Sequence, residues 1–193
     1  FGIPVFDLLE EGLHKVEVGG TAFICTPANT HIKYAQICAD HHLDVFIEKP
    51  TSDRLEGIDK LIDTLDNNHL ISMVGCNMRF DQGISKVKQL LEADTVGRVY
   101  SIRVEFGYDL KRWRPGMDYR DNFAVKKDQG GGIILDCIHE LDYLSWLIGS
   151  PPQKIFSLAR IVGDLETQTE DMCVAISEFP NGVLGEIHVD YLQ

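Results

Sequence analysis

The 193 residues carry 18 Lys and Arg against 30 Asp and Glu, a formal net charge of -12, and are 44% hydrophobic and 25% charged. This is the composition of a chain that folds around a core in one or two domains. Its average field repels a phosphate backbone or an anionic bilayer, which argues against nucleic-acid and membrane partners. The five cysteines, at 25, 38, 76, 137 and 173, are odd in number and form no CxxC pair. They read as reduced thiols of a cytoplasmic protein. No apolar run approaches the roughly 18 residues of a membrane span.

The chain opens on Phe1 and stops at "VDYLQ", a strand-like run with no closing turn, so it reads as a piece of a longer protein. Asp7 is placed to cap a short helix, "LLEEGLH". "AFICT" (22 to 26), between Gly19-Gly20 and Pro27, suits a strand buried on both faces. "THIKYAQICADHH" repeats Ile32, Ala35 and Ala39 at helical spacing, and "DVFI" (44 to 47) is strand again. Strand, helix, strand with short connections is a βαβ unit. A further helix, with Leu55, Ile58, Ile62 and Leu65 on one stripe, leads to the strand "LISMVG". Residues 1–77 thus read as a helix-covered parallel sheet.

The texture changes over 78–193. One helix, "QGISKVKQLLEAD", precedes "RVYSIRVEFGY", "KIFSLARIVG", "DMCVAISEF" and "VLGEIHVDYL", which alternate or run apolar like strands. "PNG" at 180 to 182 is a strong turn signal for an antiparallel hairpin between the last two. The helix "GIILDCIHELDYLSWLIG" interrupts these strands. The fold class is therefore α/β plus α+β: a partial Rossmann-like parallel sheet, then a domain with a largely antiparallel open sheet.

Two constellations carry chemistry. "FIEKP" puts Glu48, Lys49 and Pro50 at the carboxyl end of a parallel strand, where such sheets bind ligands, with Thr26 and Pro27 at the end of the neighbouring strand. Proline after Lys49 keeps the lysine out of helical geometry, and a dehydrated crevice would suit it to proton transfer. A solvated lysine beside Glu48 is the competing reading. In the second constellation Asp136 and His139, three apart, share one helix face, opposite an apolar stripe of Ile134, Cys137, Ile138, Leu141, Leu144 and Ile148. Leu135, Tyr143, Trp146 and Leu147 make the polar side a mixed cleft wall. An aspartate beside a histidine suits the ring to acid–base work, and a satisfied structural histidine is the alternative. Gly130, Gly131 and Gly132 are a flexible entry that permits close backbone approach; neither GxGxxG nor a Walker pattern occurs. No spacing supports a metal-ligand set.

"TPANTH", "FIEKP", "NMRFD", "VGRVYSIRVEF", "WRPGMDYR", "GGGIILDCIHELDYLSWLIG" and "FPNGVLGEIHVDYLQ" come in the order seen in the glucose-fructose oxidoreductase and inositol dehydrogenase (Gfo/Idh/MocA) family, which the chain resembles over nearly its whole length. The resemblance implies an oxidoreductase that uses NAD or NADP to move a hydride to or from a sugar, sugar acid or polyol. Its second domain would form homo-oligomers through the open sheet. It assigns Lys49, His139 and Asp136 to catalysis, Lys49 holding the substrate hydroxyl and His139 acting as acid or base. Thr26, Pro27, Asn29, His31, Glu48, Lys49 and Pro50 would line the cofactor, with Arg79, Trp113 and Arg114 in the cleft. Many members space the Asp and His four apart, so which of the two touches substrate stays open. The family's Gly-rich turn and ribose-reading acid are not found in these residues, and cofactor binding by this chain alone is in question. The alternative is a non-catalytic scaffold for oligomerisation or sugar binding.

Overall fold

The computed structural model describes residues 2–193 and divides the chain into two units, one ending at Gly75 and the other starting at Cys76. The first unit runs α1 (Leu9–Leu13), β1 (Thr21–Ile24), α2 (His31–Asp40), β2 (Asp44–Ile47), α3 (Ile58–Asn67) and β3 (Ser72–Val74). The strands are parallel in the order β1-β2-β3, with Phe23 level with Phe46 and Phe46 level with Met73. One face is the core: Ile24, Val45 and Ile47 pack with Ala35, Cys38 and Ala39 of α2 and with Leu61 and Leu65 of α3. Ala35 and Ala39 are fully buried, and their small side chains let α2 lie close to the strands.

Three details differ from the sequence reading. β1 is not buried on both faces: Phe23, on the side away from α2, is 71% exposed. The buried stripe of α3 is Leu61 and Leu65, while Leu55 precedes the helix and Ile62 points off the stripe, 49% exposed. Asp7 caps nothing, because α1 starts after Leu8 and its N-cap makes no side-chain bond.

The second unit begins with a 3₁₀ turn (Asn77–Phe80) and α4 (Gln82–Glu92), whose N-cap Asp81 accepts the Gly83 and Ile84 amides at 2.9 and 3.0 Å. β4 (Ser101–Gly107), α5 (Leu110–Trp113), α6 (Ile133–Asp136), α7 (Ile138–Ile148), β5 (Lys154–Arg160), β6 (Met172–Glu178) and β7 (Leu184–Asp190) follow. The sheet order is β4-β7-β6-β5. β5, β6 and β7 are antiparallel neighbours and the predicted hairpin at 180 to 182 is present, but β4 pairs with β7 in parallel, so the sheet is mixed. Its inner face presents Val104, Cys173, Ile187 and Val189 to Ile133, Cys137 and Leu144 of the helical layer. The outer face is open. Phe156–Ile176–Glu186–Arg103 and Leu158–Val174–His188–Glu105 form two rows across the four strands, apolar on the β5–β6 half and polar on the β7–β4 half.

The expected helix over 132 to 149 is broken. Cys137 adopts φ -92°, ψ 32°, ending α6, and α7 restarts at Ile138, so Asp136 and His139 do not lie three apart on one uninterrupted helix. The break lets Cys137 sink into the core while Asp136 turns towards the strand ends.

Candidate functional site

In the first unit the carboxyl ends of β1 and β2 lie side by side, joined by the Glu48 amide donating to the Ile24 carbonyl at 2.9 Å. Glu48 folds back so that its Oε2 accepts the amide of Lys49 at 2.9 Å, fixing the backbone that carries the lysine. The Lys49–Pro50 peptide is cis. His31, 1% exposed, spans the two loops: Nδ1 lies 2.8 Å from the Pro50 carbonyl oxygen and Nε2 2.7 Å from that of Thr26. Its polar atoms are thus spent inside the unit, bracing the two loops against each other. The Thr30 hydroxyl closes the first loop, 2.8 Å from the Thr26 hydroxyl and 2.7 Å from the Pro27 carbonyl.

Thr26, Pro27 and Asn29 are exposed at this edge, and Glu48 and Lys49 are half-buried beside them. Open parallel sheets bind dinucleotides at the carboxyl edge, and these polar groups fit one flank of such a cofactor. No GxGxxG turn for the pyrophosphate occurs among the described residues. No three His, Cys, Asp or Glu side chains among them gather as metal ligands.

In the second unit Asp136 and His139, both half-buried, flank the helix break. The Tyr108 hydroxyl donates to Asp136 Oδ2 at 2.6 Å, and the Tyr191 hydroxyl donates to the same oxygen at 3.2 Å. Burial first, and then the Asp136 charge, pushes both phenols far above their ordinary range, so they stay protonated donors. Trp113 covers Tyr108 with ring centroids 4.3 Å apart. Arg79 forms a two-point fork with Asp142 of α7, Nε donating to Oδ2 at 2.8 Å, so that guanidinium ties the 3₁₀ turn to the helix. Arg114 is exposed. Glu170 holds the start of α6, its carbonyl accepting the Ile133 amide at 3.1 Å and its carboxylate the Ile134 amide at 3.3 Å. Sequence reasoning missed Tyr108, Tyr191 and Glu170. The two tyrosines had a usable signal, each being a polar-tipped aromatic directly after a strand.

Two family profiles account for most of the chain: an NAD-binding Rossmann fold of an oxidoreductase family over residues 1–76, and a Gfo/Idh/MocA C-terminal domain over residues 84–193. The chain belongs to the Gfo/Idh/MocA family. Among Gfo/Idh/MocA relatives, it is 30% identical to a myo-inositol 2-dehydrogenase of Thermotoga maritima over 168 residues, 85% of this chain and 47% of that protein. It is 25% identical to an NAD(+)-dependent scyllo-inositol 2-dehydrogenase of Bacillus subtilis, over 85% of this chain and 46% of that one. An NAD-binding protein of Listeria innocua shares the fold, with a TM-score of 0.86 at 24% identity over all of this chain and 53% of the other. The chain spans about half the length of the relatives it matches.

Proposed function

We propose that the whole protein is an NAD(P)-dependent dehydrogenase that oxidises a secondary hydroxyl of a polyol or sugar, with ring polyols of the inositol class as the first substrates to try. The observation that carries the reading is the fixed Glu48–Lys49–Pro50 corner at the carboxyl edge of a parallel sheet, in a chain of this family whose relatives include inositol dehydrogenases. The dinucleotide, when bound, supplies the hydride acceptor. Lys49 binds the substrate hydroxyl and helps move the single proton released as the carbon loses hydride. Glu48 and Pro50 hold the lysine's backbone, and the loop from Thr26 to His31 borders the nicotinamide side. In the second unit His139 serves as acid or base, with Asp136 beside it in the chain and Arg79, Trp113 and Arg114 shaping that unit's contribution.

The outer face of the second sheet supports a homo-oligomer. Phe156, Leu158 and Ile176 stand exposed there in a contiguous patch, as expected of a surface that a second copy covers. The five cysteines, odd in number and without a CxxC pair, are the ground on which a reducing, cytoplasmic setting is proposed. None of the described helices is long and apolar enough to cross a membrane.

The test is turnover. The full-length gene product is incubated with myo- and scyllo-inositol and a panel of sugars, with NAD+ or NADP+, and appearance of the reduced nicotinamide is followed. Cofactor-dependent oxidation of at least one substrate is expected. No turnover, together with no saturable change in nicotinamide fluorescence on titrating NADH or NADPH, would leave the scaffold reading standing.

A further inference from the structure

Trp113 is 52% exposed, yet its mount is fixed at several points. It ends α5, whose N-cap Asp109 accepts the Lys111 amide at 3.0 Å and whose first residue, Leu110, is buried in the core. The Tyr108 amide donates to the Asp190 carbonyl at 3.2 Å and the Leu110 amide to the Tyr191 carbonyl at 3.2 Å, so the chain on either side of Asp109 is tied to the end of β7. The indole lies on the Tyr108 ring, tilted by 38° with centroids 4.3 Å apart. Tyr108 packs in turn against Phe106 at 5.8 Å and edge to face on Tyr191 at 5.3 Å. An exposed apolar side chain is common in itself. A large ring held from below by other rings and left open on its remaining surface has the form of a stacking platform.

Its place in the unit gives the platform a use. Tyr108 lies between Trp113 and Asp136, its ring against the indole and its hydroxyl donating to Asp136 Oδ2 at 2.6 Å. Indole and carboxylate are thus separated by a single phenol, a span comparable with one six-membered carbon ring. The face of an aromatic ring is negative and attracts C–H bonds polarised by neighbouring hydroxyls. A chair-form cyclitol or pyranose carries such bonds on a fixed face, with its hydroxyls around the rim. An open-chain polyol presents the same face only when its torsions are frozen, at a cost in rotational freedom.

We propose that Trp113 is a specificity-determining residue for the substrate: the open surface of its indole stacks on the C–H face of a ring polyol or pyranose and favours rings over open-chain polyols. This rests on the dehydrogenase reading above and deepens it, since it says what selects the shape of the substrate.

The test uses the full-length protein at saturating coenzyme with two substrate classes, inositols and open-chain hexitols, the hexitols being scored as competitive inhibitors where they do not turn over. Trp113→Leu removes the ring and keeps apolar bulk. It is expected to raise KM for the inositol about tenfold with kcat within about twofold of wild type, the signature of lost uniform binding, while the hexitol constants and the coenzyme KM move less than about twofold. Trp113→Phe keeps an aromatic face over Tyr108 and is expected to bring the inositol KM back to within about threefold of wild type. A residue that only supports the fold would move kcat, both polyol classes and the coenzyme together, and that result overturns the inference. So does an unchanged inositol KM in Trp113→Leu, a Trp113→Phe protein as impaired as Trp113→Leu, or a rise confined to the coenzyme KM, which would make the indole a nicotinamide contact. No oxidation of any polyol by the wild-type protein would remove the dehydrogenase reading, and the inference with it.

Discussion

Replacing Gly131 by alanine tests whether the backbone crossing that seats α6 is as tight as it looks. A Cβ at this position would lie 2.3, 2.6 and 2.8 Å from the carbonyl oxygens of Phe123, Ala124 and Lys126, all main-chain atoms that cannot swing aside. The same stretch is pinned by the Gly131 amide donating to Lys126 at 3.0 Å and the Gly132 amide to Ala124 at 2.9 Å. Relief therefore requires moving the 3₁₀ turn (Phe123–Val125) that contributes Ala124 and Val125 to the core. Overpacking of this kind costs about 3 kcal/mol, the upper part of the usual range. Gly130, at φ +77°, supplies the control: alanine there faces a left-handed backbone, a cost of about 1 kcal/mol. Both tryptophans, Trp113 and Trp146, belong to the second unit, so tryptophan fluorescence reports its unfolding without interference from the first. Gly131→Ala should lower its thermal midpoint by about 10 °C, against about 3 to 5 °C for Gly130→Ala. Equal effects of the two substitutions would show that the glycines serve flexibility and that the close approach does not govern this turn.

Three further outcomes are expected. Phe156→Glu, on the open apolar half of the outer sheet face, should shift the protein to monomer in size-exclusion chromatography with light scattering without lowering its thermal midpoint; an unchanged mass would place any oligomer interface elsewhere. Among the six tyrosines, burial with the Glu140 charge beside it pushes Tyr143 up to about 12, and Tyr108 and Tyr191 lie higher still. The native state keeps these protons where an unfolded phenol loses them near pH 10, so their stabilisation is complete below pH 10 and drains away as pH climbs. The urea midpoint of the second unit should fall between about pH 10 and 12, and a single absorbance step for all six near pH 10 in the folded chain would contradict this. His31→Ala removes the ring between the Thr26 and Pro50 carbonyls and should cost about 2 to 3 kcal/mol. Amide exchange should rise at 26–31 and at 48–51 together, whereas unchanged exchange would mean that the ring does not couple the loops.

Much of the fold was legible because local pattern and final packing agree. Ala35 and Ala39 sit at helical spacing and become the fully buried contact of α2, and "PNG" at 180 to 182 turns the hairpin it announces. What escaped was set by distant partners. The parallel pairing of β4 with β7 depends on a crossover that no short window reveals. The break at Cys137 answers to phenols 28 and 55 residues from Asp136, while the local sequence reads as one helix. Phe23 and Ile62 misled for a simpler reason: hydrophobicity marks a residue that can be buried, and exposure depends on what lies opposite. The corner at Glu48 to Pro50 was readable because proline constrains its neighbour; the His31 ring that braces it, reaching 19 residues along the chain, was not.

The most direct test of the central claim is Lys49→Ala in the full-length protein, assayed for inositol-dependent reduction of NAD+ or NADP+. Turnover is expected to fall by on the order of 10²- to 10⁴-fold, the worth of a positioned proton-transfer group, with the thermal midpoint near wild type. Turnover within a few-fold of wild type would contradict the role given to the lysine at the end of β2.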